Sequence, residues 1–404
     1  MGNFDVFERL DEDEFSVFLD KSVLSLDYVP EELVSRQGEE EFFARILSRG
    51  VRENFLPGMI RVYGGTGCGK TVVVRSVLEK FSRYKGSVFR FFYVNLKQCR
   101  TIFGAANAIL SVINGERVPV NLGVDRVFSK IWGAIRELKA GLDRVFVCLV
   151  LDEADSVFAD KHYDPSEFFY RFLRHQTYLN DSDVKVCLIA IANNAGVLEE
   201  RLDGRVKSSM GSERISFGGY SRFELEDILK SRTRIAFKSG FVEKGAVELC
   251  AKLVSEGTGD ARKAVDLLRV SGEVANERRS RLTSECVHAA LDRVEKDYVH
   301  EMLAGLPMYM LPLVVILADV IAKKGKTTSG ELYKRYNTAI LGFEKKEKYK
   351  RLSERRILDL INELDTIGLV TTWNVSKGRG GYGKEIILNT SAERIFEFCK
   401  PLKR

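Results

Sequence analysis

The sequence predicts an α/β domain, then an all-α segment, then a C-terminal winged helix. Three observations carry this. Between residues 59 and 206 short apolar runs alternate with longer amphipathic stretches, as a parallel sheet flanked by helices requires. Beyond Ile215 only the helical period persists, and the last hundred residues close on two β-prone runs around a glycine-rich loop. A chain of 404 residues exceeds one compact core, and 45% apolar with 30% charged residues and seven prolines is a folded, helix-rich composition.

Strands are expected at 59–63, 89–95, 145–151 and 186–192, and helices at 70–81, 101–113, 124–138 and 165–175. Residues 221–293 read as successive amphipathic helices broken at Lys238-Ser239-Gly240 and Gly257-Thr258-Gly259-Asp260. From Gly305 the pattern is three helices and a ribbon, 369–373 and 385–388, joined by the loop 376–383. The expected division is a nucleotide-binding core with its N-terminal segment (1–220), a helical lid (221–303) and a winged-helix DNA-binding domain (304–404).

Seven scattered cysteines without a C-x-x-C pair, and four histidines without zinc spacing, point to a reducing cytoplasm. The first residues are acidic and no apolar run is long enough to span a bilayer, so neither secretion nor a membrane is expected. Net charge is +6, but residues 305–404 hold 19 Lys and Arg against 11 Asp and Glu, which leaves −2 for the rest. Basic charge gathered at one end is the footprint of a polyanion-binding surface.

Residues 64–71 read GGTGCGKT between an expected strand and an expected helix, the setting a phosphate-binding loop needs. Gly65, Thr66, Gly67, Cys68 and Gly69 let backbone amides curl around phosphates, Lys70 reaches the β and γ phosphates, and the Thr71 hydroxyl ligates magnesium. Cys68 reads as a small residue that fits the loop. VCLVLDEAD ends a buried strand in Asp152, which can hold the magnesium shell, and Glu153, which can orient and polarise water. Alone, that acidic pair would be a helix cap. With the loop it specifies ATP or GTP, and the absence of N-K-x-D favours adenine. Asn193 ends the next strand, where its amide can bridge water and the γ-phosphate, or simply serve a turn. Arg205 in LDGRVKSS is either a finger toward a neighbouring subunit's nucleotide or a solvated arginine. Arg262 in GDARKAVDLL opens a lid helix and can reach back to the γ-phosphate, or form a surface ion pair.

Near the C-terminus Ser353 is a plausible N-cap, with Ile357, Leu360, Ile361 and Leu364 as the buried stripe of a recognition helix. Arg351, Arg355 and Arg356 are offered to phosphates or base edges, and Lys377, Arg379, Tyr382 and Lys384 lie on the wing. The same hairpin could instead serve protein contacts. The charged run 344–351 reads as a solvated helix face.

Taken together, the stretch FLDKSVLSLDYVPEELVSRQGEEE (18–41), the phosphate loop, LDEAD, IANNAG with LDGRVKSS, GDARKAVDLLRVSGEVA and the winged helix resemble the archaeal origin-recognition initiators. These are relatives of the eukaryotic origin recognition complex and its cell-division-cycle loading partner. The resemblance implies an AAA+ P-loop core with a helical lid, Tyr28, Val29, Pro30 and Arg36 beside adenine, and Asn193, Arg205 and Arg262 as first sensor, finger and second sensor. It implies ATP/ADP and Mg2+ as cofactors and slow hydrolysis used as a switch. Double-stranded origin DNA, a paralogous initiator and the replicative helicase are the implied partners, in the cytoplasm on the nucleoid. Residues about 97–125, Arg100 among them, match an insertion that touches DNA beside the ATPase core. Ser35-Arg36-Gln37 replaces the family's usual H-R-E, and Asn193-Asn194 its Asn-Asp, departures that bear on adenine contacts and hydrolysis rate. An ATP-sensing transcription regulator and a clamp-loader-like ATPase share the same parts.

Overall fold

The computed structural model describes residues 15–25, 28, 30, 33–99, 101–193, 195–341, 351–376 and 382–400. They form two compact units that divide between Val287 and His288.

In the N-terminal unit α1 (Gln37–Arg52) leads into β1 (Met59–Gly64), α2 (Lys70–Lys85) and β2 (Phe89–Asn95). Then come α3 (Ile102–Asn114), α4 (Gly123–Glu137), β3 (Val145–Asp152), α5 (Pro165–Leu173), α6 (His175–Leu179), β4 (Val184–Ala192), α7 (Ala195–Arg201), α8 (Gly204–Ser209) and β5 (Arg214–Phe217). The five strands are parallel, in the order β2-β3-β4-β1-β5. Every residue of β3 is buried, as a central parallel strand covered on both faces must be. Val147, Leu149 and Leu151 face one apolar layer, which includes Phe128, Trp132, Phe168 and Phe172. Phe146, Cys148 and Val150 face the other, with Phe43, Leu78 and Phe81.

Two details differ from the sequence expectation. The strands do not stop at Ile215, because Arg214–Phe217 adds a short edge strand beside β1. The helix expected over 165–175 breaks at Arg174, whose backbone leaves the helical region (φ −101°, ψ 28°), and α6 starts immediately after it.

The lid is α9 (Arg222–Ala236), α10 (Lys244–Ser255) and α11 (Ala261–Glu277), followed by the start of α12 (Ser284–Ala304). A capping box starts α9, with Ser221 and Glu224 each bonding the other's backbone amide. Asp260 caps α11 by accepting from the amides of Arg262 and Lys263. The N-terminal stretch is tied to these helices. The Val17 amide donates to Asn276 Oδ1 at 2.7 Å, and the Phe18 ring lies 4.9 Å from that of Phe237.

In the C-terminal unit the rest of α12 is followed by α13 (Leu311–Lys324), β6 (Thr327–Thr328), α14 (Ser329–Leu341), α15 (Glu354–Thr366), β7 (Val370–Ser376), β8 (Tyr382–Leu388) and α16 (Ala392–Cys399). The strands form an antiparallel sheet β6-β8-β7. Ser353 is the N-cap of α15, and Ile357, Leu360, Ile361 and Leu364 are fully buried. Among the described residues no helix is long and apolar enough to cross a membrane.

Candidate nucleotide site and nucleic-acid interface

In a parallel sheet of this kind, ligands bind beyond the carboxyl ends of the strands, where chain connections diverge to opposite faces. Here β1 runs into the glycine-rich loop, β3 ends in Asp152 and β4 delivers Asn193, all at that edge. The loop bends through Gly67 (φ +63°) and Gly69 (φ +94°), conformations that a Cβ disfavours. Each glycine is also crowded. A Cβ on Gly69 would stand 2.2 Å from the Tyr220 hydroxyl, and one on Gly67 only 1.6 Å from Asp260 Oδ1.

Lys70 opens α2 and is 8% exposed. Its ammonium donates to the Gly64 carbonyl at 2.8 Å, the Gly65 carbonyl at 2.7 Å and Asn193 Oδ1 at 3.0 Å. The Asn193 amide in turn donates to Glu153 Oε2 at 2.8 Å. Glu153 has left-handed backbone (φ +53°), a strained conformation outside glycine, and its own amide donates to Asp152 Oδ1 at 2.9 Å. Asp152 Oδ2 accepts from the Thr71 hydroxyl and from the Tyr93 hydroxyl, both at 2.7 Å. One hydrogen-bonded chain therefore joins loop lysine, strand-end asparagine, both acids and Thr71. Burial, then the bond to Asp152, pushes the Tyr93 hydroxyl well above the usual phenol range, so it stays a donor.

A cavity of about 350 Å³ opens over this chain. Lys70, Thr71, Asp152 and Glu153 line its floor, with Pro30 and Tyr28 on the N-terminal side and Ile228, Arg232, Arg262 and Val265 on the lid side. Arg232 lies 4.1 Å from the centre of the Tyr28 ring and donates to the Val23 carbonyl at 2.9 Å. Burial lowers its pKa. The fit to a magnesium nucleotide is good on two grounds. The loop admits no side chain at Gly67 or Gly69, which keeps its backbone bare where phosphate would lie, and Thr71 with Asp152 supplies hard oxygen donors to a cation that keeps the rest of its shell from phosphate and water. No cluster of three or more His, Cys, Asp or Glu suited to a metal exists among the described residues, and this mode of binding requires none.

The expected residues distribute as follows. Gly67, Cys68, Gly69, Lys70, Thr71, Asp152, Glu153, Pro30 and Arg262 line the cavity. Gly65 and Thr66 are exposed on the outer turn of the loop. Cys68 is buried and directs its thiol to the Gly65 carbonyl at 3.0 Å. Arg36, expected beside adenine, sits behind the cavity wall. Its guanidinium lies 4.0 Å from the centre of the Tyr220 ring and donates to the Gly218 carbonyl and to Glu39. Burial lowers the Arg36 pKa, but the Tyr220 hydroxyl and Glu39 outweigh it and the net shift is upward. Arg205 is outside the cavity, its side chain 56% exposed and clamped to Asp203 Oδ2 through two nitrogens at 2.7 and 2.9 Å. Val29 and Arg100 lie outside the described residues. Sequence reasoning missed Tyr93, Tyr220, Arg232 and Asp260 as parts of this site.

In the C-terminal unit Arg351 and Arg355 are exposed beside the start of α15, and Arg356 lies 5.9 Å from the centre of the Tyr309 ring. Lys384 on β8 donates to Asn362 Oδ1 of α15 at 2.5 Å, so helix and ribbon are tied together. Tyr382 begins β8, while Lys377, Arg379 and residues 344–350 of the charged run lie outside the described residues.

Three family models match successive parts of the chain. Residues 52–198 match an AAA domain, 226–292 the Cdc6 AAA+ ATPase-type lid domain, and 286–398 the CDC6 C-terminal winged helix domain. The ORC1-type DNA replication protein 1 of Sulfolobus acidocaldarius is 35% identical over 386 residues, covering 95% of this chain and 93% of the relative. The chain belongs to the ORC1-type DNA replication proteins. A second relative, from Pyrococcus abyssi, is 36% identical over 96% of the chain and 91% of its own length. Among solved structures this ORC1-type chain resembles the Aeropyrum pernix ORC1 protein in complex with DNA, with 31% identity, TM-score 0.75 and coverage of 95% and 97% of the two chains. The Aeropyrum pernix ORC2 protein shares the fold at 22% identity and TM-score 0.67, covering 96% and 98%. An AAA+ core, a lid and a winged helix are thus the architecture of this ORC1-type protein.

Proposed function

We propose that this protein is an ATP-dependent initiator that binds duplex origin DNA and uses slow ATP hydrolysis as a switch. The observation that carries the ATP half is the unbroken chain Lys70–Asn193–Glu153–Asp152–Thr71 beneath a cavity walled by the lid. Bound with Mg2+, ATP supplies the phosphoryl group and the negative charge this floor is built to meet. Lys70 donates to the Gly64 and Gly65 carbonyls and to Asn193, and would exchange the carbonyl partners for phosphate oxygens. The Thr71 hydroxyl donates its hydrogen bond to Asp152, which leaves its oxygen lone pairs as the donors that would meet magnesium. Asn193 fixes Glu153 where it can accept a proton from an attacking water. Arg262 approaches from the lid, and Arg205, exposed, would exchange its Asp203 partner for a neighbouring subunit's nucleotide.

The DNA half is supported by the winged-helix match, the basic C-terminal quarter of the chain, and a relative solved in complex with DNA. Arg351, Arg355, Arg356, Tyr382 and Lys384, with Arg100, Lys377 and Arg379, are the proposed contacts. The proposed division is a core at 1–220, a lid at 221–303 and a winged helix at 304–404, whereas most of α12 belongs to the C-terminal compact unit. A paralogous initiator and the replicative helicase complete the proposed partners, on the nucleoid in the cytoplasm. Footprinting across genomic DNA with ATP and with ADP tests the proposal. Protection at an origin, altered by nucleotide and weakened steeply by salt, is expected. Protection confined to promoters would instead make the protein a transcription regulator. ATPase activity stimulated by a protein partner, without preference among DNA sequences, would make it a loader.

A further inference from the structure

We propose that Tyr93 is the positioning residue that fixes Asp152 for magnesium, and so sets how much Mg2+ the protein needs to hold ATP. The inference rests on the cavity being an ATP–magnesium site.

Strand register brings the two residues together. On β2 and β3, Asn95 pairs with Asp152 and Tyr93 with Val150, so Tyr93 and Asp152 share a face of the sheet one pleat apart. A tyrosine ring spans that offset, and its hydroxyl reaches Asp152 Oδ2 at 2.7 Å. The Arg75 guanidinium, 5.2 Å from the ring centre, holds the ring from the cavity side. Asp152 is 5% exposed and accepts three hydrogen bonds: Glu153 N on Oδ1, and Thr71 and Tyr93 on Oδ2. Two of these come from residues with roles of their own at the nucleotide. Tyr93 is the third, and in this bond its hydroxyl serves to orient the carboxylate.

The consequence is chemical. A carboxylate held by one backbone amide and Thr71 can still rotate, and in rotating it takes the Thr71 hydroxyl with it. With Tyr93 on the same oxygen, the carboxylate plane is fixed, and the Thr71 lone pair stays aimed at the metal position. Residues that brace a metal-binding group from behind typically change metal affinity by about 10- to 100-fold when lost. Phenylalanine keeps the ring and the Arg75 contact and removes the hydroxyl alone.

The test is binding of fluorescently labelled ATP to the full chain, titrated with Mg2+ and repeated in EDTA, for wild type, Tyr93→Phe and Tyr63→Phe. Tyr63 is the control. It is a buried tyrosine on β1 of the same sheet, with its hydroxyl 3.5 Å from Glu199 rather than at Asp152. Tyr93→Phe should raise the Mg2+ concentration for half-maximal binding by about tenfold, with binding in EDTA unchanged, and Tyr63→Phe should leave both at wild-type values. An unshifted Mg2+ midpoint in Tyr93→Phe overturns the proposal. So does an equal loss in EDTA, which would mean a deformed pocket. A wild-type chain that binds ATP without regard to Mg2+ overturns the magnesium reading of the site, and the role of Tyr93 with it.

Discussion

Gly67→Ala probes the contact between the phosphate loop and the lid, and its cost can be worked from the structure. A Cβ at this position would stand 1.6 Å from Asp260 Oδ1, on backbone with φ +63°. Placing alanine in left-handed backbone costs about 1–2 kcal/mol. Moving Asp260 aside removes the cap on the Arg262 and Lys263 amides, worth about 1 kcal/mol. The N-terminal unit should therefore lose roughly 2–3 kcal/mol in total. Trp132, in the core of that unit, reports its unfolding by fluorescence once Trp373→Phe removes the only other tryptophan. Asp260→Ala alone should cost about 1 kcal/mol. Because the clash and the cap share one side chain, the double variant should cost about 1 kcal/mol less than the sum of the two. Costs that add to within about 0.5 kcal/mol would show that Gly67 and Asp260 do not meet, and would refute the reasoning.

Three further outcomes are expected. Lys70→Ala removes the cation from the loop and should abolish ATP binding in a fluorescence titration. Glu153→Gln keeps the bonds of the site but loses the base, so it should bind ATP normally and hydrolyse it about 100- to 10,000-fold more slowly in single-turnover assays. Arg355→Ala removes an exposed cation at the first turn of α15. It should weaken DNA binding and reduce the slope of log affinity against log salt by about 1, measured by fluorescence anisotropy.

What could be read in advance follows from how local each signal is. The phosphate loop, the acidic pair and Asn193 were legible because strand, turn and helix succeed each other within a few residues. The cap at Ser353 and the stripe from Ile357 to Leu364 were legible for the same reason. β5 escaped because four residues cannot establish a period, and β6 because it has two. Tyr93 looked like one more aromatic in the apolar run FRFFYVN, and only pairing with β3 gives its hydroxyl a partner. Tyr220 and Arg232 line the cavity and Asp260 meets the loop at Gly67, through contacts between the lid and distant stretches, so no window of sequence holds them together. Arg36 was named through family resemblance alone, and its place behind Tyr220 depends on residues about 180 positions away.

That separation has a consequence in time. The residues that hold the N-terminal stretch in place, Gly218, Tyr220, Arg232, Phe237 and Asn276, all follow the phosphate loop in the chain. On the ribosome the loop, the acids and most of the sheet emerge first, with one wall of the pocket already made but nothing to fasten it to. Among the fastenings described above, the furthest along the chain is Asn276, some two hundred residues after Lys70. A nascent chain short of Val265 carries the phosphate-binding machinery without its full pocket lining, so the enclosure comes after the loop and acids it covers.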